Sequence, residues 1–209
     1  HIITAMREAI IECGGEVLFG QKLTDIVLDR EHIKAVKTAD GTIIDTKVVI
    51  LATGHSARDI FTLLHNKGIV VEAKPFALGV RVEHPQLIID QAQYHCKVRD
   101  EHLPAASYSV VAQEYGRGVF SFCMCPGGII APAATDHGEV VVNGWSPSKR
   151  NNPYANSGTV VAVDEKDYAK YGFTGPLAGM YYQQMVERKA YEVGGGKLVA
   201  PAQRMGDFT

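Results

Sequence analysis

The segment between residues 14 and 54 constrains the fold most strongly, because its apolar pattern changes there from helical to alternating spacing. Residues 1–13 carry isoleucines and a methionine at helical spacing, and a Gly-Gly pair follows, which predicts a helix and its end. The letters EVLFG then predict a strand. Alternating or apolar runs come next, and Asp40-Gly41 between two of them is typical of a hairpin turn. We therefore expect a three-strand antiparallel meander that ends in a buried strand at residues 47–52.

The chain from Pro75 onward reads as a separate lobe built mostly from strands. The letters YGRG at residues 115–118 predict a turn between two of these strands. A stretch rich in Pro, Asn and Ser at residues 146–157 predicts exposed turns. Strands are expected at residues 76–84, 106–125, 138–145 and 158–165, and helices at residues 57–68 and 176–193.

These elements predict an α+β fold with two domains, residues 1–74 and residues 75–209. The first domain contains the three-strand meander. The second is a mostly antiparallel β lobe with peripheral helices. Because the chain begins at His1 inside an amphipathic pattern, without an initiator Met, we expect it to be a piece of a longer protein.

Composition excludes several classes of partner. Lys plus Arg number 21 against 23 Asp plus Glu, and no basic run offers the footprint that nucleic-acid binding needs. No apolar stretch approaches the roughly 20 residues that cross a bilayer, and no secretory leader opens the chain. Four cysteines are too few for the disulfide framework of a secreted scaffold. We therefore expect a cytoplasmic protein with neither nucleic acid nor membrane as a partner.

Phosphate-binding glycine motifs do not occur in this sequence. The letters GRGVFS at residue 116 fail the last position of G-x-G-x-x-G, and GGGKL at residue 194 lacks the spacing of a P-loop. Any nucleotide site must therefore rest on other features.

Cys123 and Cys125 form the most chemically suggestive string, followed at once by Pro126-Gly127-Gly128. In a strand, residues two apart face the same side, so the thiols could be a redox pair, two ligands of a soft metal, or only structural. A zinc site needs about four ligands, and the remaining cysteines and histidines supply no recognised spacing, so we predict no metal site. The Pro-Gly-Gly turn would aim backbone N–H groups at a ligand.

Charged residues alternate with valines in the letters GVRVEH. The pattern places Arg81, Glu83 and His84 on one face, with Arg81 as a candidate anion anchor and His84 as a candidate proton donor. The alternative is an ordinary solvated face of a strand. For Tyr108, a functional role and a packing or rim position are equally open.

The meander and the final strand ending in Ala52-Thr53-Gly54 resemble the second half of the FAD-binding domain in flavoproteins of the glutathione-reductase type. The resemblance extends along the chain to uncharacterised FAD-dependent dehydrogenases, also called NAD(FAD)-utilizing dehydrogenases. The blocks that carry it, in the same order, are LATGHSARDIF, KPFALGVRVEHPQ, IDQAQYH, LPAASYSV, GVFSFCMCPGG, VVNGWS, ANSG and PAQRMGDF. It implies that residues 1–74 are a partial FAD-binding domain and residues 75–209 an inserted substrate or cap-like domain.

The resemblance also implies a set of site residues. The main chain of Lys22 and Leu23 corresponds to the adenine contact, and Thr53 and Gly54 to a turn where backbone approaches the nucleotide closely. His55 and Arg58 follow in the same block, where Arg58 could pair with a phosphate or a substrate carboxylate. The alternative for this block is a helix start with solvated side chains. Independently of the resemblance, the residue patterns described above make Arg81, His84, Cys123 and Cys125 the catalytic candidates.

In such a family the reaction would be hydride transfer through FAD, with NAD(P) as a possible second cofactor and an unknown small molecule as substrate. The glycine-rich pyrophosphate turn and a second flavin-contacting segment would lie outside this chain. The chain would then be inactive alone, and its partner would be the remainder of its own FAD domain. The alternative is a ligand- or protein-binding module without catalysis.

Overall fold

A computed structural model describes residues 1–208 and divides the chain into two compact units at Val70. Unit 1 runs from His1 to Val70, and unit 2 begins at Val71. Residues 1–208 form five α-helices and nine strands, and every strand pair is antiparallel. The predicted α+β class is confirmed.

Unit 1 contains the expected meander. Its turn is fixed by Asp40, whose carboxylate accepts hydrogen bonds from the Thr38 hydroxyl at 2.6 Å, the Thr42 N–H at 3.0 Å and the Gln21 amide at 2.7 Å. Three strands follow one another in the order β1-β2-β3. The elements are α1 (Ile2–Glu12), β1 (Leu23–Asp29), β2 (His32–Thr38), β3 (Ile43–Asp45) and α2 (Arg58–Asn66).

Two strand predictions in unit 1 are wrong. Residues 16–20 and residues 47–52 have no strand structure, and Ile50 is 88% exposed instead of buried. A strand forms only where a neighbour accepts and donates its backbone hydrogen bonds. No strand within residues 1–208 pairs with either segment.

Unit 2 is built around one four-stranded sheet in the order β4-β9-β6-β5, with a separate β7-β8 hairpin. The last strand in sequence, β9, therefore lies between β4 and β6. The elements are β4 (Phe76–Pro85), α3 (Gln86–Tyr94), β5 (Val111–Glu114), β6 (Arg117–Cys125), β7 (Ile129–Ala133), β8 (Val141–Trp145), β9 (Tyr154–Val163), α4 (Glu165–Lys170), α5 (Ala178–Val193) and a 3-10 turn (Met205–Asp207).

Aromatic side chains form the core where α4 and α5 pack on the sheet. Tyr168 is fully buried, stacks on Phe76 with ring centroids 5.7 Å apart, and lies 5.4 Å from the Tyr182 ring. Arg117, at the start of β6, makes a two-pronged ion pair with Asp167 of α4 at 2.6 and 2.7 Å. These contacts fix the sheet against its helices.

The expected exposed loop at residues 146–157 is wrong for its last four residues. Tyr154 begins β9, and Ala155, Asn156 and Ser157 are fully buried. Small and polar residues become buried here because β9 is hydrogen-bonded on both sides. The sequence also failed to predict α3, β7 and α4, whereas α2, β4, the β5-β6 hairpin, β8 and α5 are confirmed.

Candidate functional site

The guanidinium of Arg81 in β4 contacts three residues of strands β6 and β9. Nη1 and Nη2 both donate to the Cys123 carbonyl at 3.3 Å. Nη1 also donates to Oδ1 of Asn156 and lies 3.8 Å from Sγ of Cys125. We call Arg81, Cys123, Cys125 and Asn156 the Arg81 cluster. Its guanidinium is engaged within the protein, which favours a positioning role over that of a free anion anchor.

A β-bulge places Cys123 and Cys125 in different environments. The pairing of β6 with β9 shifts between Phe122 and Cys125, and Cys123 adopts a left-handed backbone with φ of 48°. Cys123 is exposed, whereas Cys125 is only 6% exposed. Bulges re-aim side chains and are frequent beside functional sites.

The surroundings of the Cys125 thiol favour its protonated form. Burial raises its pKa above the ordinary value, and the opposing charge of the Arg81 guanidinium does not cancel that effect. The thiol donates to the Cys123 carbonyl at 3.4 Å. In this state Cys125 is a protonated, poorly nucleophilic thiol.

Asn156 leaves a polar group unmatched inside the cluster. Its side chain is fully buried, and its Nδ2 has no hydrogen-bond partner in the part of the chain that the structure describes. Such a group typically costs about 1–3 kcal/mol. Gly144 of β8 closes the space, since a Cβ there would lie 2.1 Å from Nη1 of Arg81 and 2.2 Å from Oδ1 of Asn156. The cluster therefore has more donors than acceptors.

His84 pairs with Tyr108, away from the Arg81 cluster. Its Nε2 lies 2.9 Å from the Tyr108 hydroxyl, and the two rings are 5.5 Å apart. Nδ1 lies 3.4 Å from the Pro85 carbonyl oxygen, which can only accept a hydrogen bond. The regular register of β4 places His84 on the face opposite Arg81 and Glu83, so the prediction of one shared face is wrong for His84.

The Pro-Gly-Gly turn after Cys125 is buried rather than open to a ligand. The Gly127 N–H donates to Oε1 of Gln86 at 2.8 Å, so the predicted ligand-facing role is wrong for that group. Nε2 of Gln86 in turn donates to Asp90 at 2.8 Å and to the Ala106 carbonyl at 3.0 Å. A Cβ on Gly127 would lie 2.0 Å from the Arg150 carbonyl oxygen, which explains the glycine.

Three residues that organise this region carried no clear sequence signal. Gln86 and Asp90 stand four residues apart at the start of an unpredicted helix, and Asn156 stands in an expected loop. The spacing of Gln86 and Asp90, which places both on one helix face, was the one available hint.

The main chain at Lys22 and Leu23 is part of the meander. The Lys22 carbonyl accepts from the Ala39 N–H at 2.8 Å, and Leu23 pairs with Thr38. The Lys22 ammonium lies 2.7 Å from the Asp59 carboxylate of α2. The structure thus brings the predicted adenine segment to the start of α2.

Thr53, Gly54 and His55 are exposed just before α2. Gly54 has a φ of 77°, and no heavy atom lies within 4 Å of the position that its Cβ would occupy. Arg58 is the first residue of α2. This stretch offers accessible backbone, which is what close approach to a nucleotide requires.

Other candidate sites contain none of the predicted residues. An apolar groove of about 480 Å³ in unit 2 is lined by residues of the stretches 71–73, 165–169 and 173–178. Within residues 1–208, no three His, Cys, Asp or Glu side chains come together as metal ligands would. Over the same residues, no helix has the length and apolar character needed to cross a bilayer.

Comparison with known proteins agrees with the flavoprotein resemblance. Residues 75–209 match the family described as "FAD-dependent protein, C-terminal domain-like". The chain is also 39% identical over 209 residues to an uncharacterized protein of Clostridium beijerinckii (strain ATCC 51743 / NCIMB 8052). That match covers 99% of this chain but only 38% of the relative, so the chain spans less than half of the relative's length. The family match extends over most of unit 2, and the chain belongs to this family of FAD-dependent proteins.

Proposed function

We propose that this chain is part of an FAD-dependent oxidoreductase, with unit 2 as its substrate or cap-like domain. The observation that carries the proposal is the match of residues 75–209 to a family of FAD-dependent proteins. When bound, FAD would supply hydride transfer at its flavin ring, with a small molecule as substrate and NAD(P) as a possible electron donor.

The exposed backbone of Thr53, Gly54 and His55 fits one edge of an FAD site. A left-handed glycine with open space at its Cβ position lets phosphate or ribose approach the main chain. Arg58 would supply a positive charge, and the main chain of Lys22 and Leu23 would face the adenine.

Two apolar segments of unit 1 support the proposal that a further polypeptide segment completes this domain. Residues 16–20 and 47–52 have the composition of strands but pair with no strand within residues 1–208, and Val48 and Ile50 are 76% and 88% exposed. Unsatisfied strand edges and exposed apolar side chains are stabilised by pairing with further strands. The remainder of the FAD domain would supply those strands.

In unit 2, the proton-handling group would be His84 with Tyr108. In the neutral tautomer with its hydrogen on Nδ1, the His84 ring accepts at Nε2 from the Tyr108 hydroxyl 2.9 Å away, so a proton taken up by the tyrosine oxygen can be balanced by transfer of the hydroxyl proton to the imidazole. Arg81 would position the bulge, and Cys123 and Cys125 are the candidate redox groups.

The test is a visible absorption spectrum of the protein expressed from its complete reading frame, beside the 209-residue chain. We expect oxidised-flavin bands in the long form and none in the short one. If both proteins stay colourless after incubation with FAD, the flavoenzyme proposal is wrong. A binding module without catalysis then becomes the better description.

A further inference from the structure

The two cysteines of the Arg81 cluster differ in access to solvent although one residue separates them. Cys123 is exposed on the bulge, Cys125 is buried behind it, and both are free thiols. Sγ of Cys125 lies 3.4 Å from the Cys123 carbonyl oxygen, so the buried thiol lies against the main chain of the exposed one. An external reagent can therefore reach the first thiol and not the second.

One positively charged group lies beside the buried sulfur of Cys125. Nη1 of Arg81 lies 3.8 Å from Sγ, and the same nitrogen donates to Asn156, whose Nδ2 has no acceptor within residues 1–208. The guanidinium stabilises the thiolate form when the Cys125 thiol gives up its proton during disulfide exchange.

We propose that Cys123 and Cys125 form a reversible disulfide by exchange with a low-molecular-weight disulfide such as glutathione disulfide. The Cys123 thiolate attacks one sulfur of glutathione disulfide, whose S–S bond breaks, and one glutathione thiolate leaves. The Cys125 thiolate then attacks the Cys123 sulfur and releases the second glutathione. Two protein thiols are oxidised, one glutathione disulfide is reduced, and the two thiol protons pass to the departing glutathiones.

The experiment uses the chain with Cys13→Ser and Cys96→Ser, which leaves only this pair of thiols. The protein is equilibrated in buffers of increasing glutathione disulfide content and quenched with acid. Both cysteines fall in one tryptic peptide, residues 118–149, which is then weighed by mass spectrometry. We expect the peptide to lose the mass of two hydrogens, with the glutathione adduct as a minor species. No flavin is needed, so failure here is distinct from failure of the proposed function.

Single variants separate the two steps. Cys125→Ser should trap the glutathione adduct on Cys123, and Cys123→Ser should leave the buried Cys125 unmodified. Arg81→Met should slow the second step by about tenfold or more, because the positive charge beside Sγ of Cys125 is lost. Far-ultraviolet circular dichroism checks that each variant is folded.

Two results would overturn the proposal. One is a glutathione adduct that persists on Cys123 while Cys125 remains a free thiol. The other is a pair of thiols that stays reduced in fully oxidising buffer.

Discussion

Gln86 joins helix α3 to the buried turn that follows the Arg81 cluster, and its removal makes a quantitative prediction. The side chain makes three hydrogen bonds, to Asp90 at 2.8 Å, to Ala106 at 3.0 Å and from Gly127 at 2.8 Å. Gln86→Met keeps the length of the side chain and removes all three. At about 1 kcal/mol net for each bond, the free energy of unfolding of unit 2 should fall by about 3 kcal/mol.

Urea denaturation followed by Trp145 fluorescence measures this change. Trp145 is the single tryptophan of the chain and lies in β8, so its signal reports unit 2 alone. Gln91→Met is the matched control, because Gln91 stands on the same helix, is exposed and makes one hydrogen bond to Lys97. The control should lose less than about 0.5 kcal/mol. An equal loss in both variants would refute the account of Gln86.

Three further predictions concern a close approach, an ion pair and the FAD edge. Gly127→Ala should destabilise unit 2 by about 3 kcal/mol or more, since its Cβ would lie 2.0 Å from a loop carbonyl. Gly138→Ala, with a similar backbone but open space, should lose about 1 kcal/mol in the same titration. The arginine bound to Asp167 holds the pKa of that carboxyl below its ordinary value of 3.8, so its stabilisation is present above that pH and lost in stronger acid. Asp167→Asn should therefore unfold with a weaker pH dependence below about pH 4. In the protein from the complete reading frame, Gly54→Ala should retain at least about tenfold less flavin at limiting FAD than Gly68→Ala, which carries the same backbone strain. Equal flavin retention by the two would remove Gly54 from the site.

Local chemistry made part of the fold predictable. The Asp40-Gly41 turn needs only its own neighbours, because the Asp40 carboxylate binds groups on both sides of it. Strand β4 was readable from alternation alone. In contrast, residues 47–52 were read as buried from their apolar content, but burial also depends on a neighbouring strand, and no strand within residues 1–208 pairs with this segment. Strand β9 was misread at its start for the opposite reason, since pairing on both sides buries residues that are polar or small.

The site was predictable as a set of residues but not as an arrangement. Separate arguments from the sequence singled out Arg81 and the two cysteines, and the structure brings them together. Asn156 joins the group because the pairing of β6 with β9 places it opposite Cys125, from which it is far away in the sequence. His84 was singled out beside Arg81, yet its partner is Tyr108, 24 positions further along. Such pairings arise from strand order, which spacing in one segment does not encode.

The position of β9 in the sheet sets the order in which unit 2 can fold. Strand β4 pairs with β9 across the chain, from Phe76 opposite Val163 to Pro85 opposite Tyr154. During synthesis, β4 and the β5-β6 hairpin emerge first and must wait, with open edges, for the last strand. Long-range strand pairs of this kind form slowly, and the unpaired strand edges stay exposed until they do. A chain that ends before residue 154 would therefore keep open strand edges and be prone to aggregate, whereas a chain that extends past residue 163 can close its sheet.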